Sequence, residues 1–242
     1  LRYTCNVIVS SSNAAIMPEQ WAQGDKPLSR GSWQEGYGGI DLARTRDLAA
    51  IGAVFPIRDE EGKILRWEVA SRSWIAREGG TRLDREPFRS WIADGKLSVI
   101  EGDRIIFDEL EQEIIRWRDV YGVLKWRFDP YRAAELMNRL QVDHGVDVEP
   151  FPQRTTTFNE PCTRFVDELA SGRIIHGGDP VLTWQAGNLE FFVDSGGLVK
   201  PDKGSRDAKI DAMVAVLMGF SASLFDQTQR NSFYDTNPLE MG

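Results

Sequence analysis

Tyr37-Gly38-Gly39-Ile40-Asp41-Leu42-Ala43-Arg44-Thr45-Arg46-Asp47-Leu48-Ala49-Ala50-Ile51-Gly52-Ala53-Val54-Phe55 contains two apolar runs separated by a polar interruption. The first, 38–43, has the length of a strand. Residues 44–47 read as a turn, and 48–55 as a second strand closed by Pro56, so the pair predicts a β-hairpin. Another turn at Asp59-Glu60-Glu61-Gly62 leads into 64–74, whose alternation of apolar and polar residues predicts a third strand. Asp41 is the residue that does not belong to this pattern. A carboxylate between Ile40 and Leu42 is costly unless it lies at a strand end, is paired, or binds a cation.

Downstream the period changes. Pro87 opens a short helix through Phe88, Trp91 and Ile92 that Gly95 ends, and 97–100 reads as a strand. Leu110, Ile114, Ile115, Trp117 and Val120 form a helical stripe closed by Gly122. Residues 123–128 form a strand that delivers Asp129-Pro130 at its mouth. A helix follows over 131–144 with Leu136, Met137 and Leu140 inward, then a short strand at 146–148. Asn159-Glu160-Pro161 predicts a helix start, with Phe165, Val166 and Leu169 as its apolar face. A late hairpin spans 189–193 and 197–199, and an apolar helix spans 206–220. Three adjacent strands followed by alternating helices and strands predict an α/β domain, a mixed sheet with helices on its faces.

The domain is expected over 36–228. Residues 1–35 have linker character, with polar Ser10-Ser11-Ser12-Asn13 and scattered Pro and Gly around one helical turn at Pro18-Glu19-Gln20-Trp21. Residues 229–242 read as a polar tail. The chain begins without Met, which suggests a piece cut from something longer.

Composition narrows the function classes. The 242 residues are 41% hydrophobic and 27% charged, which excludes a disordered or collagen-like chain. No apolar run reaches the roughly 20 residues that span a bilayer, and no signal peptide is visible. Cys5 and Cys162 cannot make a disulfide framework, and no Cys/His set has zinc spacing, so a reducing, cytoplasmic setting is expected. A net charge of −8 argues against coating nucleic acid by bulk electrostatics. Any DNA contact must therefore be local.

Three acids stand in or beside apolar elements: Asp41 in the first strand, Asp129 at the mouth of the 123–128 strand, and Asp211 in the last helix beside Ile210 and Val214. Each alone has an ordinary reading. Asp129 before Pro130 can cap the helix that follows, and Asp211 can pair with Lys209. Together they match the needs of phosphodiester chemistry on two divalent ions. Hard cations take oxygen ligands, and a pair about 4 Å apart activates water and stabilises the leaving oxygen.

The ordered set Gly38-Gly39-Ile40-Asp41-Leu42-Ala43…Thr45-Arg46-Asp47-Leu48, Phe128-Asp129-Pro130-Tyr131, His176-Gly177-Gly178-Asp179-Pro180-Val181-Leu182-Thr183-Trp184, and Lys200-Pro201-Asp202-Lys203…Ser205…Lys209-Ile210-Asp211 resembles the nuclease domain of tailed-bacteriophage large terminases. The resemblance extends over about the whole chain, with 9–13 like the end of the linker from a packaging ATPase. It implies an RNase H-like fold, an antiparallel first three strands and then parallel ones. It further implies that Asp41, Asp129 and Asp211 hold two Mg²⁺ or Mn²⁺ ions, and that the activity is endonucleolytic cutting of concatemeric double-stranded DNA in the infected or prophage-carrying bacterial cytoplasm. In a full-length protein the implied partners are its own ATPase domain, a portal ring and a small terminase subunit. The isolated domain is expected to be a monomer with no membrane contact. No G-x-x-x-x-G-K-[ST] phosphate loop is present, since Gly62-Lys63 is followed by Ile64, so no ATP hydrolysis is expected from this chain.

Several further residues are candidates. Arg44, Lys200, Lys203 and Lys209, with Arg46 and Arg206, lie beside the acids and are suited to gripping phosphate. Asp47 suits either the hairpin turn or a fourth ligand, and Asp207 lies four residues before Asp211. His176 is expected to be a hydrogen-bonded structural histidine. The competing functions are another RNase H-like nuclease, of the junction-resolvase or transposase type, and a non-catalytic module docking a motor to DNA or portal.

Overall fold

The computed structural model describes residues 14–42, 48–79, 83–131, 134–205 and 207–236, with side chains as far as residue 228. The predicted hairpin is there as β1 (Gly36–Asp41) paired antiparallel with β2 (Ala49–Arg58), and β3 (Ile64–Ala76) pairs antiparallel with β2. The connection over 43–47, with Arg44, Arg46 and Asp47, lies outside the described residues. β2 does not stop at Pro56; it continues to Arg58, with Pro56 opposite Trp67. The last β2 residue paired with β1 is Val54, so β2 is an edge strand by Pro56, where a missing N–H costs no ladder bond on that side.

β4 (Leu97–Ile100) adds parallel to β3, β5 (Val123–Phe128) parallel to β1, and β6 (Val148–Pro150) parallel to β5. The order across the sheet is β4-β3-β2-β1-β5-β6, and β7 (Ile174–Ile175), which sequence reading missed, pairs with the start of β3. Antiparallel strands first and parallel ones afterwards is the expected mixed sheet. β8 (Leu189–Val193) and β9 (Val199–Lys203) form a separate hairpin.

Helices cover both faces. α3 (Asp108–Tyr121) and α4 (Ala134–Val142) bury Leu110, Ile114, Trp117, Leu136, Met137 and Leu140 against Ile40, Ile51, Trp74 and Trp126. Gly122 closes α3 in the left-handed conformation, as its place after the stripe predicts. Val120, expected inward, is exposed at the end of that stripe. On the other face α5 (Thr155–Ala170) and α7 (Asp211–Thr236) pack Phe158, Phe165, Leu169, Val216, Leu217 and Phe220 against Tyr37, Val54, Trp67 and Val69. α2 (Phe88–Ala93) and α6 (Pro180–Asn188) meet through Trp91 and Trp184 near the β4 edge.

Several boundaries differ from the sequence reading: α4 ends at Val142 rather than 144, and β6 lies at Val148–Pro150 rather than 146–148. α5 starts at Thr155, and Pro161, read as a helix opener, is buried inside it. Its true start is marked by Thr157, whose hydroxyl accepts the Arg154 N–H at 3.2 Å, a cap hidden within a β-branched triplet. α7 begins at Asp211, not at 206, and runs past residue 229 to Thr236. The 14–35 stretch is part of the folded unit. In α1 (Pro18–Ala22), Trp21 is buried against α5 and α6 residues, and after a 3-10 turn at Arg30–Ser32, Trp33 is buried and stacked on Phe55.

One buried carboxylate ties that stretch to the sheet. Glu68 on β3 is fully buried, and accepts bonds from the Ser29 N–H (2.7 Å), Ser29 hydroxyl (2.7 Å) and Trp33 Nε1 (2.8 Å), with Arg66 at 2.9 Å. Burial pushes its pKa up, but these donors outweigh burial and hold it below the ordinary glutamate value.

Candidate active site

β1 and β5 are parallel neighbours with Ile40 opposite Phe128. The next residues along, Asp41 and Asp129, therefore end two adjacent strands at one level, their backbones about 4.8 Å apart across the sheet. β6 ends at the same edge, with Phe128 opposite Pro150, and the loop after it carries Gln153. Ligand sites in such sheets form beyond the carboxyl ends of the parallel strands, and the sequence places a carboxylate at two of them.

The third acid arrives on a helix lying directly on the strand. A Cβ on Gly39 would stand 2.0 Å from the Ala215 carbonyl oxygen, and one on Gly219 would stand 2.5 Å from that of Tyr37. Only glycine allows this approach. α7 thus runs opposite to β1, with Gly219 at the Tyr37 level and Ala215 at the Gly39 level. Four helical residues advance about 6 Å and two strand residues about 6.6 Å, so one more step along each brings Asp211 beside Asp41. As the first residue of α7, Asp211 also sits where the helix dipole favours an anion.

Asp41, Asp129 and Asp211 line one cavity of about 190 Å³, together with Gln153, Phe158, Lys200, Pro201, Asp202, Lys203, Ile210 and Val214. Asp41 is half-buried, and one of its oxygens accepts a bond from Gln153 Nε2 at 3.4 Å. One Asp129 oxygen accepts the Tyr131 N–H at 3.1 Å, so the ordinary turn-making role holds for that atom. Lys200 lies 5.6 Å over the Phe192 ring, and the Asp202 carboxylate accepts the Lys203 N–H at 2.9 Å. The donor set is all oxygen, the set that Mg²⁺ and Mn²⁺ prefer over nitrogen and sulfur. Among the described residues no three His, Cys, Asp or Glu are gathered closely enough to form a ready-made metal cage. Side chains of like charge spread along a wall repel one another, and a cation is what would draw them in.

The other candidates divide. Lys200 and Lys203 line the cavity; Lys209 does not, and Asp207 is exposed in the turn ahead of α7 rather than one helical turn inside it. Arg44, Arg46, Asp47 and Arg206 lie outside the described residues. His176 is a structural residue: buried, stacked on Trp21 at 4.0 Å, its Nε2 bonded to the Trp21 carbonyl oxygen at 2.8 Å while Nδ1 accepts the Gly178 N–H at 3.2 Å. Burial pulls its pKa below the ordinary histidine value, partly opposed by the bond to Trp21. Gln153 and Asp202 were missed. For Gln153 the available signal was its place after the third parallel strand; for Asp202 it was the Lys-Pro-Asp-Lys run, read only for its cations.

The family model of the terminase large subunit endonuclease domain matches residues 1–226. The chain belongs to that family. Among its relatives, the terminase large subunit of Enterobacteria phage HK97 is 25% identical over 244 residues, covering 98% of this chain and 47% of the relative. Protein YmfN of Escherichia coli K12 is 26% identical over 194 residues, 76% of this chain and 42% of the relative. This terminase endonuclease chain thus spans a little under half the length of the curated relatives it matches. The crystal structure of the HK97 large terminase superposes over 86% of this chain and 43% of its own with a TM-score of 0.73 at 26% identity. The large terminase nuclease from thermophilic phage G20c with bound magnesium shares the fold over 88% of this chain and 98% of its own, with a TM-score of 0.55 at 9% identity.

Proposed function

We propose that this terminase nuclease domain cuts double-stranded DNA by metal-dependent phosphodiester hydrolysis, with Asp41, Asp129 and Asp211 as the ligands of two Mg²⁺ or Mn²⁺ ions. The observation that carries this is that three aspartates, from two strand ends and a helix start, line one cavity. The magnesium-bound G20c relative of the same fold supports it. When bound, such ions supply Lewis acidity, lowering the pKa of an attacking water and neutralising charge on the phosphate.

The chain's own residues have separable tasks. The three aspartates offer hard oxygen donors carried at two strand ends and a helix start, which a bound cation would draw together. Gln153 orients the Asp41 carboxylate through its bond to one oxygen. Lys200 and Lys203 line the same cavity as the acids and hold the DNA backbone by charge. The apolar sides of Phe158, Ile210 and Val214 limit water on the cavity floor. In the longer protein the reading includes an ATPase domain, a portal ring and a small terminase subunit as partners in the host cytoplasm, with ATP hydrolysis residing outside this chain.

The test is Asp41→Asn, which keeps the side-chain shape and removes the charge. Mn²⁺-dependent nicking of supercoiled plasmid should vanish while circular dichroism and the unfolding midpoint stay as in the wild type. Nicking at the wild-type rate would overturn the assignment.

A further inference from the structure

α6 reaches the start of α7 with two side chains one helical turn apart. Gln185 is fully buried, and its Oε1 accepts the Ala212 N–H at 2.7 Å. Asn188 donates from Nδ2 to the Lys209 carbonyl oxygen at 3.2 Å. Residues i and i+3 share a helix face, so a single face of α6 holds the backbone on both sides of Asp211. Within α7 the first intrahelical bond is Val214 N–H to the Ile210 carbonyl, which leaves the Ala212 N–H as one of the orphan donors of a helix start. Gln185 supplies from another helix the acceptor that an N-cap side chain normally provides.

The choice of glutamine is informative. Its Nε2 is buried with no protein hydrogen-bond partner, so its Oε1 bond to Ala212 is the polar contact this side chain makes there. A methionine would fill the same volume without an orphaned nitrogen. A half-satisfied amide at a buried site makes sense where its one bond fixes something that matters, and here that bond is one residue from Asp211.

Resting on the reading of Asp211 as a metal ligand, we infer that Gln185 and Asn188 are positioning residues for the metal centre. They touch neither DNA nor metal; Gln185 holds the 211–212 peptide unit and Asn188 the 209–210 unit just upstream, so that the Asp211 carboxylate meets those of Asp41 and Asp129. Groups hydrogen-bonded to metal ligands typically influence metal affinity by about 10- to 100-fold, and a clamp on the backbone beside a ligand acts on the same geometry.

The test uses the whole chain and measures Mn²⁺ binding without DNA, by electron paramagnetic resonance of free Mn²⁺, beside thermal unfolding. Gln185→Met and Asn188→Leu are each expected to raise the Mn²⁺ dissociation constant by about tenfold or more. Leu182→Ala, on the buried side of α6 but bonded to neither flank of Asp211, is the control. It should lower the unfolding midpoint while leaving Mn²⁺ binding within about twofold of wild type. Wild-type Mn²⁺ affinity in both clamp variants would overturn the inference, as would an equal loss in Leu182→Ala. Should Gln185→Met fail to fold, the partly buried Asn188→Leu decides the matter alone. Asp211→Asn separates the two readings. If it too binds Mn²⁺ normally, the metal-centre assignment has failed; if it loses Mn²⁺ while the clamp variants do not, only the positioning role has.

Discussion

Replacing Gly39 by alanine adds one methyl group where the β1 and α7 backbones touch. The new Cβ would lie 2.0 Å from the Ala215 carbonyl oxygen and 2.7 Å from the Met218 Cβ. Ordinary contact begins near 3.4 Å, so the shortfall is about 1.4 Å (3.4 − 2.0), and it is set against backbone that cannot rotate away. α7 must therefore lift from the sheet by about an ångström at the turn after Asp211. Overpacking of this kind costs about 1–3 kcal/mol, and contact with main chain puts this site at the upper end. Because a displacement of about 1 Å at a catalytic group can cost roughly 100-fold in rate, nicking should fall far more than the fraction of folded protein does. The assay pairs urea denaturation with Mn²⁺-dependent plasmid nicking at a temperature where the variant is fully folded. Gly31→Ala, where nothing lies within 4 Å, is the matched control and should leave both unchanged. A Gly39→Ala protein with wild-type stability and wild-type nicking would refute the placement of Asp211 by close helix–strand contact.

Glu68→Leu strands the Ser29 and Trp33 donors and should cost about 2–4 kcal/mol by urea midpoint, with a change below about 1 kcal/mol speaking against the anchor. His176 has a folded-state pKa below its unfolded value, so the neutral form stabilises the fold above the unfolded pKa of about 6.5, and that contribution is lost as pH falls from there through the folded value. In a His144→Gln background, unfolding free energy should therefore decline on acidification below about pH 6.5, and His176→Phe should flatten that slope. Lys200→Ala and Lys203→Ala should each reduce the slope of log affinity for duplex DNA against log salt by about 1, measured by fluorescence anisotropy; an unchanged slope would remove that lysine from the backbone contact.

How much of this was legible beforehand depended on the range of the signal. Local signals read well. The 37–55 hairpin, the Gly122 helix stop and the strand-end acids Asp41 and Asp129 announce themselves through alternation, left-handed glycine and misplaced charge. Errors came where tertiary context overruled a local rule. Pro161 looked like a helix opener and is buried inside one, because the actual cap is Thr157. Pro56 looked like a strand end, yet β2 continues past it because its neighbour has already stopped. α6 was not foreseen, although Asp179 caps it through the Val181 and Leu182 N–H groups ahead of Pro180. For the site, a charge in or beside an apolar element singled out Asp41, Asp129 and Asp211 alike, and the family resemblance is what implied a shared role for them. Gln153, Gln185 and Asn188 left no periodic or charge signature, since their contributions exist only once separate elements are packed.

The bridge between Ala14 and Glu190, with the Ala15 N–H bonded to the Leu189 carbonyl at 3.0 Å, fastens the first described residues to β8. β8 is paired along its length with β9, which carries Lys200 and Lys203. A pull exerted upstream of residue 14 would therefore be transmitted to the hairpin that walls the cavity before it reached the central sheet, much as a cord tied to a door's handle moves the door rather than its frame.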